Sequence, residues 1–334
     1  MPIPKRLTGR RAQGWVIALV ILIMFELLVA RSGWIWSYEA RSDTGIVDVL
    51  EHEVIPHVDD PSVVFLGSSR IRDAVLPRDL ETLMDLPRNS VLNLGLTSGL
   101  GYDSLKLYER NRERLSMAEI VVVGVELFDL TASPKPEARA RRYATLSERL
   151  EWPGFDKLGL LVGYLWRTFD VRDQVRDLVT SLWRGRNESL PIDPDGRIAW
   201  RDPVEAGEAS VDVSEVASAI AGVKPGRGHS IYIEELISML RRDGVDVWVV
   251  HIPVRDETAR AYEESNPGLV AHFLRSIQHF EGVVGIDAPW QASSVGMRDT
   301  SFYDYGHPAV SGARFLTERY ARLLDGEPSR RRTG

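Results

Sequence analysis

The 334-residue chain has no cysteine, which excludes disulfides, a thiolate nucleophile and any metal site built on sulfur. Any nucleophile it carries must be an oxygen or an amine. It also lacks a basic excess. With 41 Lys and Arg against 48 Asp and Glu, the formal net charge is −7, so nucleic acid is not an expected partner. There is no internal repeat. A dinucleotide fingerprint is missing as well, since Gly95, Gly99 and Gly101 do not have the Gly-x-Gly-x-x-Gly spacing. His272 and His279 lie two helical turns apart without a ligand-type neighbour, so no metal or cofactor site is expected.

Long apolar runs are scarce, and the single one is at the start. Gly14 to Ala30, roughly 17 residues, reaches the lower limit for a helix that spans a hydrocarbon core. Lys5, Arg6, Arg10 and Arg11 precede it, Trp34, Trp36 and Tyr38 follow as an aromatic belt, and Glu26 is its one acidic residue. The cationic bias predicts a single-pass anchor with the N-terminus in the cytoplasm and the bulk of the chain outside it. A cleaved signal peptide is the rival reading. Val-Ala-Arg-Ser-Gly is a poor small-x-small cleavage site, and the run exceeds a usual apolar signal core.

The remainder alternates apolar runs with amphipathic ones. SVVFLG (62–67), SVLNLG (90–95), EIVVVGV (119–125), VDVWVVHIP (245–253) and VVGIDAP (283–289) are short, β-branched and bounded by turn residues, as buried parallel strands are. Segments 102–115, 230–242, 269–280 and 311–324 have helical periodicity and supply the crossovers. The fold class expected is α/β, a doubly wound five-stranded parallel sheet. Residues 1–13 read as a basic cytoplasmic N-terminus, 14–30 as the anchor, and 31–60 as a juxtamembrane segment with a helix at 45–57. Residues 61–325 read as the α/β domain, with an insertion at about 131–229, and 326–334 as a disordered tail. Within the insertion, Trp152, Tyr164, Trp166, Phe169 and Trp183 could line an acyl or glycan groove, but core packing is the default reading for aromatics in a helical insertion.

The first strand runs into Gly67-Ser68-Ser69-Arg70. A serine at the carboxyl end of a strand in an open parallel sheet stands where ligands collect, although either serine also makes a good helix cap. Near the other end, Asp304 and His307 lie three residues apart in Phe-Tyr-Asp-Tyr-Gly-His-Pro. An oxygen nucleophile needs a base and a group that orients the base, and an imidazole with a carboxylate supplies both. Asp287, closing the last strand, is a second candidate orienter. His251 at the end of the fourth strand reads as a hydrogen-bonded buried residue.

These motifs resemble those of the SGNH/GDSL hydrolases. Leu66-Gly67-Ser68-Ser69 is similar to the first block, Asn93-Leu94-Gly95 to the second and Asp304-x-x-His307 to the last, with Gly312 where a small residue follows. The resemblance implies a flavodoxin-like fold, a catalytic Ser69, His307 and Asp304, and an oxyanion hole made by the N–H groups of Ser69 and Gly95. The third block departs: Gly124-Val125-Glu126-Leu127 stands where relatives have Gly-x-Asn-Asp, so a side-chain donor is missing. If ionised, Glu126 would oppose a developing oxyanion, and an ion pair with Arg70 or Arg72 would remove that conflict. With the N-terminal anchor, the pattern resembles the envelope branch that includes DltD-like and alginate-acetylation proteins. That branch implies an acyltransferase or esterase acting on acylated polysaccharide or a small acyl ester, with a membrane-bound O-acyltransferase as a candidate partner. A catalytically weak glycan-binding or scaffold protein is the alternative.

Overall fold

The computed structural model describes residues 6–32, 45–131, 143–151, 157–172, 175–176, 179 and 213–326. Trp34, Trp36, Tyr38, Trp152, Trp183 and the tail beyond Gly326 lie outside the described residues. The chain divides into two compact units, one of residues 1–48 with 137–189 and one of 49–136 with 190–334.

The larger unit is a five-stranded, wholly parallel sheet: β1 (Val63–Ser68), β2 (Val91–Leu96), β3 (Ile120–Gly124), β4 (Asp246–Val250) and β5 (Gly285–Asp287). The strand order is β2-β1-β3-β4-β5, the doubly wound arrangement expected from the alternating pattern. β1, β2 and β3 are buried along their whole length, which explains continuous apolar runs in place of alternation. On one face Phe65, Val122, Trp248 and Val250 pack with Leu80, Leu316 and Tyr320. Across the other, helices Gly101–Arg110 and Ser230–Arg242 pack on each other and on β1 and β4 respectively. Burial of each large apolar side chain in these layers contributes about 1.5–3 kcal/mol.

The helices at 230–242 and 310–325 match the sequence periodicity closely, and the expected 102–115 helix breaks at Asn111 into two pieces. A helix at Asp256–Ser265 was not legible. Its sequence, DETARAYEES, is polar, and burial is confined to Thr258, Ala259, Ala261 and Tyr262.

The excursion between β3 and the helix Ser230–Arg242 leaves and returns at one place. Thr131 bridges Pro225 in antiparallel fashion, Gly226 N–H donates to Leu130 O at 2.9 Å, and His229 N–H donates to Asp129 O at 2.8 Å.

The smaller unit contains one helix long and apolar enough to cross a membrane, over Gln13–Ala30. Helix Arg6–Phe25 continues into a wider turn, Glu26–Ala30. Helices Leu146–Glu151, Lys157–Leu165 and Arg167–Asp170 belong to the same unit. Arg149 is fully buried there, paired with Asp170 at 2.6 Å and lying over the ring of Tyr164.

Candidate active site

Chain direction reverses across the sheet between β1 and β3, the position at which open α/β sheets form a crevice. Ser68 ends β1 and Ser69 begins the helix Ser69–Ala74. Gly67, with φ +154°, makes the sharp exit, and a Cβ there would meet Ile71 Cγ1 at 2.8 Å and Gly124 Cα at 3.2 Å. Glycine is therefore required by both conformation and space.

The two serines have separate tasks. Ser68 Oγ accepts from Arg70 N–H at 3.1 Å, capping the helix, and donates to Glu126 Oε1 at 2.8 Å. Ser69 Oγ lies 2.8 Å from His307 Nε2. His307 Nδ1 lies 2.7 Å from Asp304 Oδ2. Asp304 Oδ1 accepts from the N–H groups of Gly306 and His307 at 2.9 and 2.8 Å, so the carboxylate is fixed by its own turn. Burial alone would push the Asp304 carboxyl up. The His307 hydrogen bond and charge, with the two N–H donors, overcome it and hold the group below the usual carboxylate range. An ionised Asp304 places the proton on His307 Nδ1 and leaves the Nε2 lone pair facing Ser69. Tyr303 stacks on the imidazole at 5.6 Å and Tyr305 meets its edge at 5.9 Å. Tyr303 is held in turn by donating its hydroxyl to Asp73 at 2.6 Å.

Beneath this row is a buried ion pair that the sequence pattern only hinted at. Arg70 Nη1 pairs with Glu126 Oε2, Nη2 donates to Ile252 O beyond β4, and Nε donates to Gly306 O at 3.0 Å. One guanidinium thus ties the end of β1, the segment after β3, the exit of β4 and the turn between Asp304 and His307. Glu126 is engaged by Arg70 and Ser68 on its two oxygens. Arg72 does not take this role: it donates to Asp73 and to Thr97 Oγ1. The position at which the resemblance leads one to expect Asn thus carries a carboxylate paired with a buried guanidinium.

The second-block Asn93 acts as a brace. Its Nδ2 donates to Arg72 O at 2.9 Å and Val75 O at 3.2 Å, closing the carbonyl end of the helix Ser69–Ala74. Its Oδ1 accepts from Gly95 N–H at 3.2 Å, so this expected oxyanion donor already has a partner. A Cβ at Gly95 would meet Arg72 N at 2.5 Å and Ser68 O at 2.7 Å, so the close packing of β2 on that helix depends on glycine here. Ser69 N–H, the first of its helix, has no carbonyl of that helix to bond.

Asp287, the other candidate orienter, is not beside His307. It pairs with Arg319 through both oxygens, at 2.8 and 2.6 Å. His251 is buried with Nδ1 2.9 Å from Val125 O and its ring stacked on Trp290. Burial, followed by the charge of Arg70, lowers its pKa to about 4, so it is neutral. His272 Nε2 lies 3.2 Å from Gly226 O and His279 Nδ1 2.5 Å from Arg275 O. Among the described residues, no three His, Asp or Glu gather as metal ligands. Gly99 and Gly101 pack against the backbone of Gly67 and His229.

No protein-family model matches the chain, and no curated protein matches it. Among solved structures, it matches a protein of Bacteroides fragilis named a "putative acylhydrolase", at 10% sequence identity and a TM-score of 0.39, over 83% of this chain and 95% of that one.

Proposed function

We propose that this chain is a serine acyl-transfer enzyme, an esterase or O-acyltransferase, working through an acyl-Ser69 intermediate. The observation that carries the reading is the continuous row Ser69 Oγ, His307 and Asp304, with spacings of 2.8 and 2.7 Å, at the switch point of a parallel sheet. In the reaction, Ser69 Oγ attacks the acyl carbonyl while its proton passes to His307 Nε2. The leaving alcohol takes that proton as it departs. Water or a sugar hydroxyl then attacks the acyl-serine, gives its proton to His307, and Ser69 recovers it. Ser69 N–H and Gly95 N–H are the proposed oxyanion donors, the second shared with Asn93, and one such donor is worth about 3–4 kcal/mol in the transition state.

The resemblance to envelope SGNH proteins and the apolar N-terminal helix support a finer assignment. The acyl donor or acceptor is an O-acylated cell-envelope polysaccharide, and the active domain lies outside the cytoplasmic membrane. A membrane-bound O-acyltransferase fits as partner. One observation favours the rival reading of a catalytically weak glycan-binding protein: Gly95 N–H is already bonded and Glu126 offers no donor.

A fluorophosphonate probe separates the two. The enzyme reading expects covalent labelling of the full-length protein that disappears in Ser69→Ala and falls at least about 100-fold in His307→Ala, the scale of a lost general base. Absence of labelling in the wild type, with the fold intact by circular dichroism, favours the binding protein.

A further inference from the structure

Glu26 is the acidic residue inside the apolar run, and its carboxylate is buried. It accepts from Arg167 N–H and Thr168 N–H, each at 2.8 Å, from Thr168 Oγ1 at 2.7 Å, and from Arg31 Nε at 2.8 Å. Arg167 and Thr168 open the short helix Arg167–Asp170, whose leading N–H groups would otherwise lack acceptors. Arg31 also donates Nη2 to Leu165 O at 2.7 Å, at the end of the helix Lys157–Leu165. Ala30 packs on Val171, with Val29 and Val175 against them. The end of the apolar run is thus fastened to segment 157–170 by both polar and apolar contacts.

That segment has an unusual exposed face. Leu158 and Leu165 are 68% and 61% exposed, and Val162 and Phe169 are exposed between and beyond them. Spacings of four and three residues place Leu158, Val162 and Leu165 in one stripe along the helix Lys157–Leu165, and Phe169 is exposed on the short helix that follows the extended Trp166. Leu27 and Leu28, beside Glu26 on the apolar run, are also exposed. Cations lie around this stripe: Arg31 is partly exposed, and Arg172 sits over the Phe169 ring, 4.5 Å from its centroid.

We propose that residues 157–170 form a second, in-plane membrane element. The stripe Leu158, Val162 and Leu165, with Phe169 on the helix beyond it, sits in the boundary between headgroups and acyl chains, in the leaflet at the Glu26 end of the span. Depth is the central argument. Glu26 is near the last turn of the apolar run, and a helix rises 1.5 Å per residue, so a segment fastened to it lies within about a turn of the hydrocarbon edge. Amphipathic helices rest at that level, about 5–10 Å into the interface, with cations reaching phosphates. A bilayer is the occupant because the segment carrying the stripe is fastened to the end of the span itself, where Leu27 and Leu28 are exposed too. The four acceptor bonds also explain how a carboxylate is tolerated there. Backbone N–H groups satisfy it, so it need not be drawn back into water.

The inference rests on the apolar run spanning a membrane and is independent of the chemistry at Ser69. Because the native chain has no cysteine, single-cysteine spin labelling reads it directly in the full-length protein. Leu158→Cys and Leu165→Cys, nitroxide-labelled in liposomes of phosphatidylethanolamine and phosphatidylglycerol, are compared with Leu22→Cys in the run and Leu83→Cys on the sheet unit. Collision with oxygen exceeding collision with a water-soluble nickel chelate at 158 and 165, as at 22, supports the proposal. Nickel access at 158 and 165 equal to that at 83, with 22 in lipid, overturns it. Shielding of 158 and 165 from both reagents assigns the stripe to a protein contact and also overturns it. Nickel access at 22 removes the span and the proposal together.

Discussion

Glu126 and Glu26 are both buried carboxylates in apolar surroundings, and they are satisfied in different ways. Glu126 meets a side-chain cation, Arg70, whose other nitrogens hold Gly306 O and Ile252 O. Glu26 meets two backbone N–H groups and the Thr168 hydroxyl at the start of a helix, with Arg31 adding a fourth bond. The first arrangement fixes several loops at the candidate active site through one charged hub. The second fixes a single helix, and its strength depends on backbone geometry. One guanidinium shared with two distant carbonyls therefore organises the site, whereas a helix cap flanked by one arginine makes the fastening, and the two should respond differently when each is cut.

The largest effect is expected at the hub. Arg70→Ala leaves Glu126 as an uncompensated buried charge and frees Gly306, so the protein should lose about 3–5 kcal/mol of stability. Fluorophosphonate labelling at Ser69 should also slow, because the turn carrying His307 is no longer held. Urea denaturation in detergent together with labelling kinetics checks both. An unchanged midpoint would show that the hub contributes little.

Next comes the neutral imidazole beside that hub. His251 has a folded pKa of about 4 against 6.5 in the unfolded chain, so its unfolded form binds the proton first as pH falls. Its stabilising contribution is complete above about pH 6.5 and is lost as pH drops through about 4, a change of about 3 kcal/mol. Asn keeps a donor for Val125 O and does not titrate. The wild type's advantage over His251→Asn at pH 7 should therefore shrink by about that amount at pH 4. Parallel denaturation curves at the two pH values test it, and equal differences at both would show that His251 is protonated in the fold.

Glu126→Gln sharpens the comparison. Gln keeps an acceptor for Ser68 Oγ or Arg70 but removes the charge, so stability should fall by about 1–3 kcal/mol while the Ser69 labelling rate stays nearly unchanged. A large gain in rate would instead place Glu126 against the oxyanion. The smallest effect is expected at Glu26→Gln. One charge-assisted cap is weakened, opening segment 167–172 by about 1 kcal/mol. Faster tryptic cleavage after Arg167 or Arg172 would register it.

The sheet was legible because each strand is a β-branched run bounded by turn residues, and buried parallel strands need no alternation. The strand-end serines and the Asp-x-x-His spacing each have a geometric meaning before any fold is known, but the choice of Ser69 over Ser68 rests on the family resemblance, and the structure places Ser69 Oγ beside His307 and His307 beside Asp304. The Arg70 hub was only half legible. A pair with Glu126 could be proposed from their positions, but the bonds to Gly306 O and Ile252 O join carbonyls 54 residues apart in sequence, and periodicity carries no such information. Asp287 could not be told from an orienter because Arg319, its partner, lies on a helix whose facing depends on packing. Gly95 resembled a free oxyanion donor, and only the coordinates reveal that Asn93 reaches it.

The bridge between Thr131 and Pro225 has a consequence for how this chain can diverge. With both strands of that neck bonded, the chain leaves the β-α-β path at Thr131 and rejoins it at Pro225, and the helix Val213–Ile220 just before the neck is packed on the helix Asp256–Ser265 and bonded to Asn266. The closure at the neck does not depend on the length of chain between Thr131 and Val213. Loop closure costs rise only logarithmically, about 0.6 kcal/mol for each doubling, so chain length can change between Thr131 and Val213 at small thermodynamic cost to the sheet. Descendants of one ancestor can thus retain the same strands and the same serine while the chain between those two residues differs in length.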